Sequence, residues 1–218
     1  MSATGRNTVR LKDDFYQTPP WAFHWFEEEL RRLMPPESAP SILEPGAGAG
    51  NLVAELRRVY PTTSIVAVEK REECSGFLRE AGSTGVLIDD FLSETANIEM
   101  LTGHPFDLVF GNPPYGGKKT RINPHYGIWQ RFVERGMDLL APNGMLVFLL
   151  RLAVLEGKDR NRWIRQNMPD VYVLPRRPAF RGGSSTDATA YAWMVWNKRW
   201  WGSGKHGKIM VLEDWRLR

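Results

Sequence analysis

Asn112-Pro113-Pro114-Tyr115 is the tetrapeptide in this sequence best equipped for chemistry. An asparagine side-chain oxygen and a nearby proline carbonyl are both acceptors, and two prolines keep the backbone that carries them stiff. Such a pair takes both hydrogens of an amino group, draws its lone pair out of conjugation and aims it at an electrophilic methyl. Positioning and electrostatics then carry the rate, without a strong general base. Tyr115 supplies a ring on which a planar base can stack, worth about 1–3 kcal/mol in single-strand binders. Asn-Pro alone is also a common turn opener, so the reading needs companions elsewhere in the chain.

A glycine-rich run provides them. Glu44-Pro45-Gly46-Ala47-Gly48-Ala49-Gly50 places glycines at every second position, where the backbone can turn sharply and approach a ligand. The dinucleotide fingerprint spaces its glycines differently and cradles a pyrophosphate. Here an acid stands just before the loop. Glu44 is a poor neighbour for a phosphate and a good one for an ammonium group, so the expected ligand carries an amino-acid cation rather than a diphosphate. Two further acids fall where a nucleoside would need them. Glu69 ends a β-branched run and can accept both ribose hydroxyls; Asp90 can accept from an adenine amino group, with Phe91 beside the ring. The bland alternative is a helix-opening turn plus surface acids.

The elements that must position these groups can be read from periodicity. Trp21, Trp25, Phe26, Leu30 and Leu33 recur at helical spacing after Thr18-Pro19-Pro20, with Thr18 as candidate cap and Pro35-Pro36 as the stop. From Ser41 onward short apolar strands alternate with helices. Strands are expected at 41–43, 64–69, 85–88, 106–110, 145–150, 171–174 and 190–196, and helices at 51–59, 72–80, 128–140 and 160–167. That order predicts an α/β, Rossmann-like, doubly wound, mostly parallel seven-stranded sheet with an antiparallel last strand, in one domain. The glycine loop then follows the first strand and the Asn-Pro-Pro-Tyr motif the fourth, at the carboxyl ends where such sheets bind ligands. The expected division is a flexible segment 1–14, a catalytic domain 15–197 and a short basic extension 198–218. The long Gly/Ser/Arg-rich linker 175–189 has the length of a functional loop.

Composition narrows the partners. In 218 residues, 42% hydrophobic and 25% charged, one sizeable core is expected and a second large domain is not. A net charge of +4 and a pI of about 9.3 suit a nucleic-acid partner without requiring one. Cys74 is the single cysteine, so no intrachain disulfide can form, and the four histidines lack metal-ligand spacing. No metal is expected. The polar start lacks a signal-peptide core, and the apolar run 144–155 is interrupted by Arg151 and too short for a bilayer. No membrane is expected, and a cytoplasmic location is.

Taken with Asp14-Phe15-Tyr16-Gln17-Thr18-Pro19, Asp89-Asp90-Phe91 and Arg177-Pro178-Ala179-Phe180, these motifs cover the chain from Phe15 to about Trp196. The whole resembles the class I S-adenosylmethionine-dependent amino-methyltransferases, and among them the small phage-type and bacterial adenine-N6 DNA methyltransferases. The resemblance implies S-adenosyl-L-methionine as cofactor, bound by Tyr16, Gln17, Thr18, Glu44, Pro45, Gly46, Gly48, Glu69, Asp90, Phe91 and Asn112. It implies that the segment before the first helix closes over the methionine part, that Asn112 to Tyr115 are catalytic, and that Phe180 packs against an extruded base. It also departs from the pattern: after Trp196 only 22 residues remain, too few for the recognition domain that this motif order usually carries.

Two basic runs flank the expected pocket. Lys118, Lys119 and Arg121 follow the acceptor motif, and Arg176, Arg177 and Arg181 surround Phe180. They are expected to grip phosphates on either side of a flipped adenine; singly, each could be a solvated surface charge. Lys198, Arg199, Lys205 and Lys208, interleaved with Trp200 and Trp201, could extend that surface or form a solvated tail. The expected partner is therefore DNA and the expected product N6-methyladenine. RNA adenine, a protein glutamine amide and cytosine N4 (whose enzymes more often carry Ser in place of Asn112) are alternatives using the same chemistry. A non-catalytic subunit that keeps the fold is the rival from another class, and an intact acceptor motif argues against it.

Overall fold

A computed structural model describes residues 17–38, 40–94, 96, 98–101, 103–115, 127–178, 180, 189–204 and 207–214. Eight strands form one sheet in the order β3-β2-β1-β4-β5-β7-β6-β8. They are β1 (Ile42–Pro45), β2 (Ile65–Glu69), β3 (Gly85–Ile88), β4 (Phe106–Gly111), β5 (Leu140–Arg151), β6 (Asp170–Val173), β7 (Tyr191–Asn197) and β8 (Ile209–Val211). The first five pair in parallel; β7 runs antiparallel between β5 and β6. The doubly wound sheet expected from the sequence is thus present with its antiparallel β7. An eighth strand, which the sequence reading leaves within the extension, is added at the edge and pairs in parallel with β6.

The alternation of apolar residues explains the layers. A strand covered on both faces shows side chains of alternate residues to opposite layers. Ile42, Leu108, Phe110, Met145, Val147, Leu149 and Trp193 face one cluster, while Leu43, Val109, Leu146, Phe148, Leu150 and Met194 face the other. Helices α1 (Pro20–Leu33), α2 (Asn51–Val59) and α3 (Ser75–Glu80) cover the first face; α4 (Ile128–Leu139) and α5 (Asn161–Gln166) cover the second. Gly136 lets α4 lie close, because a Cβ there would stand 2.5 Å from Leu146 Cδ1.

Helix α1 is seated by aromatics. Phe26 stacks on Trp193 with centroids 5.6 Å apart, Phe23 meets Phe110 edge-on at 5.6 Å, and Trp193 donates its indole N–H to the Ala22 carbonyl at 2.8 Å. Thr18 does not cap this helix: Pro19 occupies the cap position, without a side-chain hydrogen bond. Pro20, with its fixed φ and no N–H to satisfy, opens the helix instead.

Hydrogen bonds between Ser41 and Asp107 set the register of the central strands. Asp107 accepts from the Ser41 backbone N–H at 2.8 Å and from its hydroxyl at 2.9 Å, and Asp107 N–H bonds back to the Ser41 carbonyl at 3.0 Å. This ties the start of β1 to the start of β4. Connections leave β1 toward β2 and β4 toward β5, so the crevice at their carboxyl ends is the topological switch point of the sheet.

Candidate active site

The glycine loop leaves β1 at that switch point. Gly46, Gly48 and Gly50 take φ of +68°, +59° and +86°, values that cost an L-residue with a side chain about 1–2 kcal/mol each. At Gly50 a Cβ would also stand 2.9 Å from Ala81 Cβ. The loop can close against α3 only with glycine there. The glycine at 46 keeps the turn open where a Cβ would reach within 3.7 Å of Phe132.

Two acids lie under the loop in different states. Glu69 is buried at the end of β2. One of its oxygens accepts from the Gly48 N–H at 2.9 Å and the other from Arg71 Nε at 2.8 Å, so it braces the loop. Glu44 is 2% exposed, and its Oε2 has no hydrogen-bond partner among the described residues. Burial, and secondarily the charge of Glu69, push its carboxyl well above the usual range. A buried acceptor without a donor is costly. An ammonium group delivered to Oε2 would relieve it, and the residues present therefore fit the amino-acid end of S-adenosylmethionine.

Asp90 is exposed beyond β3 and accepts from Leu92 N–H at 2.9 Å, an Asx turn that shapes the loop. Phe91 points into the second core cluster, its ring 4.8 Å from Phe132 and the Arg135 guanidinium 5.8 Å from its centroid. The structure gives it a packing role in the wall beneath the loop.

The acceptor motif stands one strand away. Register places β4 beside β1, and a Cβ at Gly111 would lie 3.4 Å from the Pro45 carbonyl oxygen and 3.8 Å from Glu44 Cγ. Asn112 is thus adjacent in space to a carboxylate 68 residues earlier in the chain. Its Nδ2 donates to Thr18 Oγ1 at 2.9 Å, and the Thr18 carbonyl accepts from Asn51 Nδ2, at the first residue of α2, at 3.2 Å. Pro113 is buried and Pro114 half-buried.

Tyr115 is not an open platform. Its hydroxyl donates to Asn112 Oδ1 and lies 2.9 Å from the Leu149 carbonyl. The Arg151 guanidinium sits 5.2 Å from its ring centroid, and Tyr191 meets it edge-on at 5.6 Å. Arg151 Nε also donates to the Tyr191 hydroxyl at 2.9 Å, and Phe180 packs edge-on against Tyr191 at 5.1 Å. Phe180 is therefore joined to the acceptor motif through Tyr191, as an aromatic wall rather than an isolated ring.

Of the other residues singled out from sequence, Gln17 and Arg177 are exposed. Arg176 pairs with the buried Asp214 at 3.0 Å, which ties the start of the late loop to the C-terminal segment. Tyr16, Lys118, Lys119, Arg121 and Arg181 lie outside the described residues. Sequence reasoning missed Arg151 and Tyr191 as parts of this site; it placed Thr18 on the cofactor side, without the contact of its hydroxyl to Asn112. A signal existed for Arg151, the one charge in an otherwise apolar strand.

Comparison with known proteins agrees with this geometry. Residues 72–171 match the family model of the Eco57I restriction-modification methylase. A Type II methyltransferase, M.CvrRI of Paramecium bursaria Chlorella virus XZ-6E, is 29% identical over 129 residues, covering 54% of this chain and 32% of the relative. A release factor glutamine methyltransferase of Deinococcus radiodurans is 32% identical over 147 residues, covering 62% and 50%. The chain thus spans half or less of the length of these relatives. A structure assigned to the class I S-adenosylmethionine-dependent methyltransferases, from Listeria monocytogenes, superposes with a TM-score of 0.65 at 18% identity, covering 94% of this chain and 68% of the other. Among the described residues no helix is long and apolar enough to cross a membrane. The chain has the fold of the class I S-adenosylmethionine-dependent methyltransferases and is similar in sequence to restriction-modification methylases.

Proposed function

We propose that this protein transfers a methyl group from S-adenosylmethionine to N6 of adenine in DNA. The observation that carries the reading is the side-by-side placement, at the ends of β1 and β4, of the amide of Asn112 and the buried carboxyl of Glu44, whose Oε2 has no hydrogen-bond partner among the described residues. When bound, the cofactor supplies an electrophilic methyl. Glu44 takes its ammonium group, Pro45, Gly46 and Gly48 give backbone room, and Gln17 and Tyr16 close over it. Glu69 holds the loop in shape and keeps acceptor capacity for ribose hydroxyls. Asp90 completes the nucleoside end, with Phe91 packed in the wall beneath it.

On the acceptor side, Asn112 Oδ1 and the Pro113 carbonyl take the two hydrogens of the amino group, which localises its lone pair for direct attack. Pro114 stiffens that arrangement, and Tyr115 with Phe180 flanks the planar base. Lys118, Lys119, Arg121, Arg177 and Arg181 engage the phosphates beside a base that has been flipped out, since N6 cannot be reached within a stacked duplex. The kinship with restriction-modification methylases favours DNA over RNA as the polymer.

The second reading, methylation of a protein glutamine amide, is favoured by the 32% identity to a release factor glutamine methyltransferase. A carboxamide presents the same two hydrogens to Asn112. Labelled methyl transfer to unmethylated DNA, RNA and protein decides between them. Digestion of labelled DNA should release N6-methyladenosine as the deoxynucleoside; label recovered only in glutamine would refute the DNA reading.

A further inference from the structure

We infer that Thr18 is a positioning residue for the acceptor motif: its hydroxyl fixes the amide of Asn112 so that the oxygen end faces the incoming amino group. This rests on the reading that Asn112 receives that amino group, and goes beyond it by giving Thr18, so far assigned only to the cofactor, the further role of orienting the acceptor amide.

An asparagine amide has two ends of nearly equal shape and opposite hydrogen-bonding character. Presented backwards, Asn112 would set its NH2 against the substrate's NH2, and neither could accept. Something must hold the amide the right way round. Thr18 is 5% exposed, and its Oγ1 accepts from Asn112 Nδ2 at 2.9 Å, which leaves Oδ1 at the opposite end. Thr18 is itself anchored from the cofactor side, because its carbonyl accepts from Asn51 at the start of α2. The strap before α1 therefore links the glycine-loop helix to the acceptor asparagine.

The far end of the amide completes the argument. In this structure Oδ1 accepts from the Tyr115 hydroxyl, which stands where a donor from the substrate would come. That hydroxyl has one proton and a second acceptor within reach, the Leu149 carbonyl at 2.9 Å. When an amino group arrives, the Tyr115 proton turns to Leu149 and Oδ1 passes to the substrate, with no acceptor or donor stranded. Without Thr18 the amide is free to turn over and pair its NH2 with the Tyr115 oxygen, a state that cannot accept from substrate.

The test compares T18V, which keeps the shape and loses the hydroxyl, with T18S, which restores it. In T18V turnover at saturating cofactor should fall about tenfold or more, as expected when a reacting group is misoriented, over and above any loss of a cofactor contact. T18S should recover most of the loss. On an Asn112→Ala background T18V should have no further effect. The Asn112 side-chain amide protons, followed by nitrogen-resolved NMR, should exchange slowly in wild type and T18S and rapidly in T18V. The inference is overturned if T18V turns over normally at saturating cofactor or leaves those protons protected. The NMR arm needs no substrate. Should wild type methylate no DNA while the Asn112 protons still respond to T18V, the failure belongs to the proposed acceptor and not to the Thr18 contact.

Discussion

Replacing Glu44 by glutamine should stabilise the cofactor-free protein and weaken its hold on the cofactor at the same time. Glu44 is 2% exposed and its Oε2 has no hydrogen-bond partner among the described residues. A buried unsatisfied polar group costs about 1–3 kcal/mol, more when charged. Glutamine keeps the shape and removes the charge, so at pH 8 a gain of roughly 1–3 kcal/mol is expected. For a chain of this size that corresponds to a rise of roughly 2–12 °C in Tm. The sign of the pH dependence follows from burial, which raises the folded carboxyl above its unfolded value, near 4.3 for glutamate. As pH rises between the two values the unfolded state loses its proton first, so the folded state binds more protons and stability falls. The advantage of E44Q should therefore be largest at alkaline pH and vanish as pH approaches about 4.3. Thermal unfolding of both proteins without cofactor, from pH 4.5 to 8, measures this. Calorimetric titration with S-adenosylmethionine measures the opposite effect. Losing a hydrogen bond between two charged groups costs about 1.5–3 kcal/mol, so affinity should fall roughly tenfold to a hundredfold. Equal melting temperatures at every pH, with wild-type affinity for the cofactor, would refute both the burial argument and the ammonium assignment.

Three other expectations follow from the same geometry. Asn112→Ala should reduce turnover by about 10²-fold or more, the usual effect of deleting one preorganised hydrogen-bonding group, with cofactor affinity nearly unchanged; paired kinetic and binding measurements check it. Gly50→Ala forces a side chain to φ +86° and within 2.9 Å of Ala81 Cβ; it should cost about 1–2 kcal/mol from backbone strain alone and lower Tm by roughly 2–8 °C, read by thermal melts. A Lys118/Lys119/Arg121 triple alanine variant should bind DNA more weakly at low salt. If those residues touch phosphates, its plot of log affinity against log salt should also flatten by up to about three contacts' worth of slope, whereas an unchanged slope places them off the DNA path.

What the sequence made legible was whatever repeats locally. Helix α2 at 51–59 and strand β3 at 85–88 fall where periodicity puts them, because each carries its burial pattern within a few residues. The start of β5 does not. Pro142-Asn143-Gly144 reads as a turn, yet the strand runs from Leu140, which pairs with Phe106 before a register shift brings Met145 opposite Leu108. Strand β8 was hidden for another reason: Ile209 and Val211 are mostly exposed, so nothing in their pattern announces a buried face. The site divides the same way. Glu44, Gly46, Gly48 and Asn112 could be found because loop and tetrapeptide are contiguous. Thr18 was read as a helix cap from its neighbours and as a cofactor contact from the resemblance, while its hydroxyl goes to a residue 94 positions away. Arg151 was visible only as a charge interrupting an apolar run, and its place over Tyr115 and against Tyr191 depends on β5–β7 pairing.

That pairing has a consequence for how the work of the site is divided. Glu44 and Asn112 stand at the ends of adjacent strands whose starts are tied together by Ser41 and Asp107. Their ends cannot drift apart without breaking both the ladder and that anchor. Direct transfer needs distance and angle held to a fraction of an ångström and no proton relay, and two hydrogen-bonded central strands supply that. The groups expected to choose the acceptor belong instead to the sequence runs that follow Tyr115 and Leu174. Selection of a nucleic acid or a protein amide can therefore change through those runs while Glu44, Thr18 and Asn112 stay in place, consistent with one chain resembling both a Type II methyltransferase and a glutamine methyltransferase. On this argument substitutions after β4 should alter KM and acceptor choice, and substitutions at Thr18 or Asn112 should alter kcat for whichever acceptor is bound.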